Sequence, residues 1–117
     1  MPFAKFDRSQ LELLPLSDRT HDFSLSEVLP LSIDSASFEH EGLQTVTERI
    51  VAAKRNGRAT ILMMGAHVLK LGLQRYVIDL MERGYITHIA GNGACAIHDY
   101  EMAMIGATTE SVANYIR

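Results

Sequence analysis

Two apolar runs, ATILMMG (residues 59–65) and ITHIAGNG (86–93), each stop at glycine. Between them HVLKLGLQRYVIDLMERG (67–84) carries a helical apolar stripe, and ACAIHDYEMAMIG (94–106) follows as a second helix. Strand, glycine turn, helix, strand, glycine turn, helix is βαβ order, and two strands joined through a helix must lie parallel. The fold class expected from this stretch is α/β. The run ATILMM shows no alternation, so burial on both faces is expected, as for a parallel strand between helical layers. Ligands of such sheets bind beyond the carboxyl ends of the strands. Gly65-Ala66-His67 and Gly91-Asn92-Gly93 fall at those ends.

The rest of the chain is read around this unit. Residues 1–40 form a lead-in, with isolated aromatics at Phe3 and Phe6 and a polar, irregular stretch at 32–40. Ser24 with Glu27 three residues on has capping-box spacing and predicts a short helix there. The second expected unit, residues 41–117, opens with a helix over 41–56, where Leu43, Val46, Ile50 and Val51 keep amphipathic spacing and Asn56-Gly57 stops it. Gly72 interrupts the next helix, and close packing is the expected reason for a glycine there. Thr108 and Glu110 predict a capped helix at the carboxyl end. Two strands alone leave two open edges and little buried area. Further strands must come from the lead-in, from a partner chain, or from a longer polypeptide.

Composition excludes several classes. Its 117 residues suffice for one domain, and a net charge of −3 offers no basic stripe for nucleic acid. No apolar run approaches the ~20 residues of a membrane span. No charged-then-apolar amino-terminal segment predicts secretion. The single cysteine, Cys95, excludes an internal disulfide and fits a reducing cytoplasm.

Candidate chemistry clusters after the second strand. Gly91, Asn92, Gly93 and Ala94 lead into a helix, whose first N–H groups suit a phosphate, although a plain tight turn has the same pattern. His98 and Glu101 share a helix face at a spacing of three, whereas Asp99 points elsewhere. They are candidate catalytic groups; dipole complementation by the acids and a half-buried histidine is the alternative. His67 stands at the mouth of the first strand, and His88 inside the second is read as a hydrogen-bonded core residue. Cys95 is read as a small packing residue. His21-Asp22 is a further polar pair. No histidine or cysteine pair has metal-ligand spacing, so no metal is expected.

The order and content of residues 58–106 resemble the amino-terminal part of the nucleotide-binding domain of deoxyhypusine synthase and its bacterial relatives. Members of that family show a strand ending in Gly-Ala or Ser-Asn, then a glycine-containing helix with I-I-D-L-I-R-N-G-Y-[IV]-D. A second strand then runs into T-x-G-A-N-L-x-H-D. The counterparts are Gly65-Ala66, Gly72, Ile78-Asp79-Leu80-Met81-Glu82-Arg83-Gly84-Tyr85-Ile86, and Gly91-Asn92-Gly93-Ala94-Cys95-Ala96-Ile97-His98-Asp99. The resemblance implies a Rossmann-like three-layer fold with a small parallel sheet, an incomplete doubly wound domain. It also implies bound NAD and a homo-oligomer. Gly65, Ala66, His67 and Gly91 to Ala94 would approach the dinucleotide, with His98 and Asp99 beside it. Family enzymes oxidise a polyamine through NAD and transfer its aminobutyl group through an imine on a lysine. That lysine motif has no counterpart here, and Ile97-His98 stands where some members carry an acidic pair. The expected protein is thus the leading part of such a transferase, inactive alone. A non-catalytic oligomerising or partner-binding α/β module is the alternative. A small hydrolase or isomerase using His98 and Glu101 is a third reading.

Overall fold

Local sequence chemistry accounts for most elements of the computed structural model, which describes residues 5, 7–31 and 39–114. Phe3, Phe6, the stretch 32–38 and residues 115–117 lie outside the described residues. In chain order the elements are β1 (His21–Ser24), α1 (Glu41–Arg55), β2 (Ile61–Met64), α2 (His67–Lys70), α3 (Gln74–Glu82), β3 (His88–Gly91), α4 (Gly93–Ile105) and β4 (Ala107–Glu110). The fold is α/β with two small sheets. β2 and β3 pair in parallel, Leu62 opposite Ile89 and Met64 opposite Gly91. β1 and β4 pair antiparallel, His21 opposite Glu110 and Phe23 opposite Thr108.

The lead-in supplies a strand, but to the second sheet, so among the described residues the parallel β2–β3 sheet keeps only two strands and gains nothing from it. Its β1 pairs with the last strand, so residues 21–30 pack on the unit that begins at residue 41. After β1 the expected cap forms: the Ser24 backbone N–H donates to Glu27 Oε2 at 2.7 Å and opens a single three-residue helical turn. The segment then crosses the middle of the chain. Leu25 N–H donates to Gly106 O at 2.8 Å, Leu29 N–H to Gly72 O at 2.9 Å, and the Tyr76 hydroxyl to Pro30 O at 2.8 Å.

Three expectations are corrected. The helix over 67–84 is two helices, because Gly72 adopts φ +77 and ends the first. The expected close packing is also present. A Cβ on Gly72 would lie 3.0 Å from Glu27 O and 3.2 Å from Val28 Cα, so the lead-in occupies the space a side chain needs. The expected carboxyl-terminal helix after Thr108 is instead β4. Backbone pairing with β1 and the inward turn of the Thr108 side chain, fully buried, override the capping pattern. Thr109 has φ +61, a left-handed conformation that a β-branched residue rarely adopts.

The third correction concerns burial. β2 was expected to be covered on both faces, but exposure alternates along it. Ile61 is 60 % exposed and Met63 80 %, and His88, opposite Ile61, is exposed rather than in a core. Leu62 and Met64 face the helices. The buried cluster is small: Ala66, Leu69 and Cys95, with Met64 against it. Isolated parallel strands rarely persist with a bare face. The Cα radius of gyration, 19.3 Å, exceeds the about 13 Å of a compact chain this long. α1 buries no residue. It is held by Lys54, whose Nζ donates to Arg83 O at 2.6 Å and lies 4.2 Å from the Tyr85 ring centre.

Gly72→Ala must both strain the backbone and push the lead-in away, at a cost of about 3 kcal/mol. Gly57 also has positive φ (+61), but among the described residues nothing lies within 4 Å of its missing Cβ. Gly57→Ala should cost about 1 kcal/mol. Urea unfolding of the two variants beside the parent checks the difference.

Candidate functional site

α4 sets the geometry of everything polar in this chain. Asn92 caps it: its side-chain oxygen accepts from Cys95 N–H at 3.2 Å. Gly106 closes the other end in the left-handed conformation (φ +66), which glycine reaches without a Cβ penalty. At the entry, Gly91 lies so near the helix that an added Cβ would stand 3.1 Å from Cys95 Sγ. Cys95 is buried, with Sγ 3.6 Å from Met64 O, and so links the ends of both parallel strands as the packing residue expected of it. Among the described residues no neighbour lies within 4 Å of the Cβ position of Gly93, the first helical residue. The amino end of α4 is open there.

One face of α4 closes a cavity of about 390 Å³ between α3 and α4, at the carboxyl ends of β2 and β3. Its walls are apolar: Met64, Leu69, Val77, Ile78, Met81 and Ile89. Polar groups enter from Gln74, Asn92 and Asp99, and among the described residues no lysine or arginine lines it. This is the place that the strand-end rule assigns to a ligand, and its size falls in the usual range for small-molecule pockets.

A different face of α4 carries His98 and Glu101, which grip one hydroxyl. Thr108 Oγ1 donates to Glu101 Oε2 at 2.5 Å and lies 2.6 Å from His98 Nδ1. A hydroxyl has one proton, and Thr108 spends it on the carboxylate. His98 Nδ1 must then carry the hydrogen and donate to Thr108. Arg19, from the lead-in, donates through Nη2 to Glu101 Oε1 at 2.8 Å. Its Nε stands 3.6 Å from Glu110 Oε2. The Thr108 hydrogen bond, with Arg19 and His98 beside it, holds the Glu101 carboxyl below its ordinary value, against the opposing effect of burial. The group ties β4, α4 and the lead-in together. It turns away from the strand-end cavity.

The sequence candidates divide accordingly. Gly91, Asn92 and Asp99 line the cavity. Gly65, Ala66 and His67 form the other strand-to-helix turn, with Ala66 buried in the small core and His67 exposed. Gly93 and Ala94 open α4 at its exposed end, and His98 lies in the Thr108 network. His21 stands in β1 opposite Glu110, and the His88 ring is 2.8 Å from Thr87 Oγ1. Gln74 and the apolar side of α3 are cavity residues that no motif marks. Gln74 reads as part of the polar side of one long helix until the break at Gly72 restarts the helical phase.

Among the described residues no three potential ligands cluster for a metal ion, and no helix is long and apolar enough to cross a membrane. Comparison with protein-family models, with curated proteins and with solved structures finds no significant match.

The depressed Glu101 pKa has a defined sign. Its contribution is fully present above the unfolded value of 4.5 and is lost as the pH falls through the lower folded value. Glu101→Gln leaves the buried Thr108 hydroxyl and Arg19 competing for one oxygen. It should cost about 1–3 kcal/mol at pH 7. The gap to the parent should narrow below pH 4.5, which urea midpoints at pH 7 and in acid will check.

Proposed function

We propose that residues 59–106 form the leading half of a Rossmann-like NAD-binding domain, similar to that of deoxyhypusine synthase. In this reading the whole protein is a cytoplasmic homo-oligomeric transferase acting on a polyamine, and it becomes active only when further polypeptide supplies the catalytic lysine. The supporting observation is the cavity at the carboxyl ends of two parallel strands, beside the open amino end of a capped 13-residue helix. That end presents N–H groups with the partial positive charge that favours phosphate. The open space at Gly93 leaves room for a phosphate to approach the backbone.

The fit extends to one end of a dinucleotide. A cavity of about 390 Å³ with apolar walls takes one heterocycle. Gly93 and Ala94 would face the phosphates, Asp99 offers an acceptor at the rim, and Asn92, whose oxygen caps α4, offers its amide N–H. When bound, NAD supplies a hydride acceptor for amine oxidation. The residues here would bind and orient it and keep water from its ring. His98 and Glu101 are assigned no proton transfer, since both are committed to Thr108.

The bare face of β2, with Ile61 and Met63 exposed, favours a second reading: a non-catalytic module that associates with itself or with another polypeptide. Native mass spectrometry of the 117-residue chain, with and without millimolar NAD, separates the two. The first reading expects one NAD mass gained per chain. An oligomer that ignores NAD overturns it in favour of the second, and a monomer in both conditions overturns the second.

A further inference from the structure

Two apolar surfaces stay uncovered among the described residues, and the strand-end cavity uses neither. On the parallel sheet, Ile61 stands beside His88 and Met63 beside Ala90, and all four are exposed. Opposed residues on paired strands share a face, so these four form the side turned away from Leu62 and Met64. On α1, Leu43, Val46 and Ile50 recur at helical steps and line one face. Leu43 and Val46 are exposed, and the 15-residue helix buries no residue. The connection at 56–60 holds α1 off its own sheet. Asn56 N–H donates to Ala52 O at 3.0 Å, Arg58 N–H to Ala53 O at 2.8 Å and Thr60 N–H to Thr87 Oγ1 at 2.9 Å. Lys54 fastens the last turn of the helix to Arg83 O. Folding α1 back over its own sheet breaks these bonds, whereas laying it on the sheet of another molecule breaks none.

We propose that a second copy of this chain covers the sheet. In a two-fold pair, α1 of each protomer lays its Leu43–Val46–Ile50 stripe across the partner's Ile61, Met63 and Ala90. A foreign partner that covers the sheet leaves the helix stripe bare, and one that covers the stripe leaves the sheet bare. A second copy covers both, because each chain carries both halves of the contact. Area points the same way. A helix of this length is about 22 Å long and about 11 Å wide and covers roughly 250 Å². One such contact is too small for a stable complex. The two-fold pair makes it twice, so each chain contributes roughly 500 Å² and the pair roughly 1,000 Å², where specific interfaces begin. The proposal rests on the self-association reading and is independent of NAD.

Sedimentation velocity of the 117-residue chain over a range of micromolar concentrations tests it. The parent should show a reversible monomer–dimer equilibrium. Val46→Glu and Met63→Glu each place a carboxylate in the contact and should weaken the dimer about tenfold or more. Thr45→Glu, off the stripe on the same helix, should leave it unchanged. Both contact positions are exposed in the single chain, so the variants keep the fold, which circular dichroism checks. Disulfide trapping fixes the pairing: Val46→Cys chains mixed with Met63→Cys chains should join to each other in preference to themselves. Cys95 is buried and does not compete. A dimer that survives both glutamate variants overturns this interface and leaves self-association through another surface standing. A parent that stays monomeric overturns both. A Val46→Cys/Met63→Cys double variant that closes within one chain at high dilution overturns the proposal in favour of α1 covering its own sheet.

Discussion

The hydroxyl of Thr108 is the point on which the structure depends. It is fully buried, it gives its proton to Glu101, and it takes one from His98. In a low-dielectric setting such a group stabilises when satisfied and destabilises when a partner is lost. Because the partners lie on α4 and the hydroxyl on β4, this bond fixes how the last strand meets the helix. Arg19 extends the bond to the lead-in. The cavity on another face of α4 inherits its shape from this arrangement, since a rotation of the helix would move Asn92 and Asp99 with it.

The lead-in has a second hold, at Gly72. There the chain needs both a left-handed backbone and an absent side chain, because residues 27–29 lie against it. The break lets α3 set off in a new phase and turns Gln74 toward the strand ends. Local backbone chemistry thereby places a side chain in the cavity that helical periodicity assigns to solvent.

How much of this could be read in the sequence follows the range of the forces. The βαβ order was plain, because apolar runs ending in glycine and the Asn92 cap are local signals. So was the Ser24–Glu27 turn. The break in the 67–84 helix was not, since a lone glycine is tolerated in helices and only the approach of Glu27 and Val28 decides otherwise. β4 was hidden because Thr108 satisfies a capping rule equally well, and its true partners lie at Phe23, His98 and Glu101. Among the candidate site residues, Gly91, Asn92 and Asp99 reach the cavity, as a turn between strand and helix requires. The assignment of His98 as a ligand-facing group fails to anticipate Thr108, for spacing reveals which residues share a face but not what that face meets. The buried β2 strand failed for another reason: lack of alternation reports that a strand wants cover, not that the chain itself provides it.

The uncovered face of β2 bears on how this chain must be made. Residues 59–64 hold no charge and no proline, and they include Ile and Leu in an extended backbone with an open edge. Such a segment can recruit an identical strand from a neighbouring molecule and nucleate stacked fibrils. Productive folding then competes with an encounter with another copy of the same strand. That encounter rises with concentration. Crowded synthesis therefore favours loss to aggregates, and slow production at low concentration limits it.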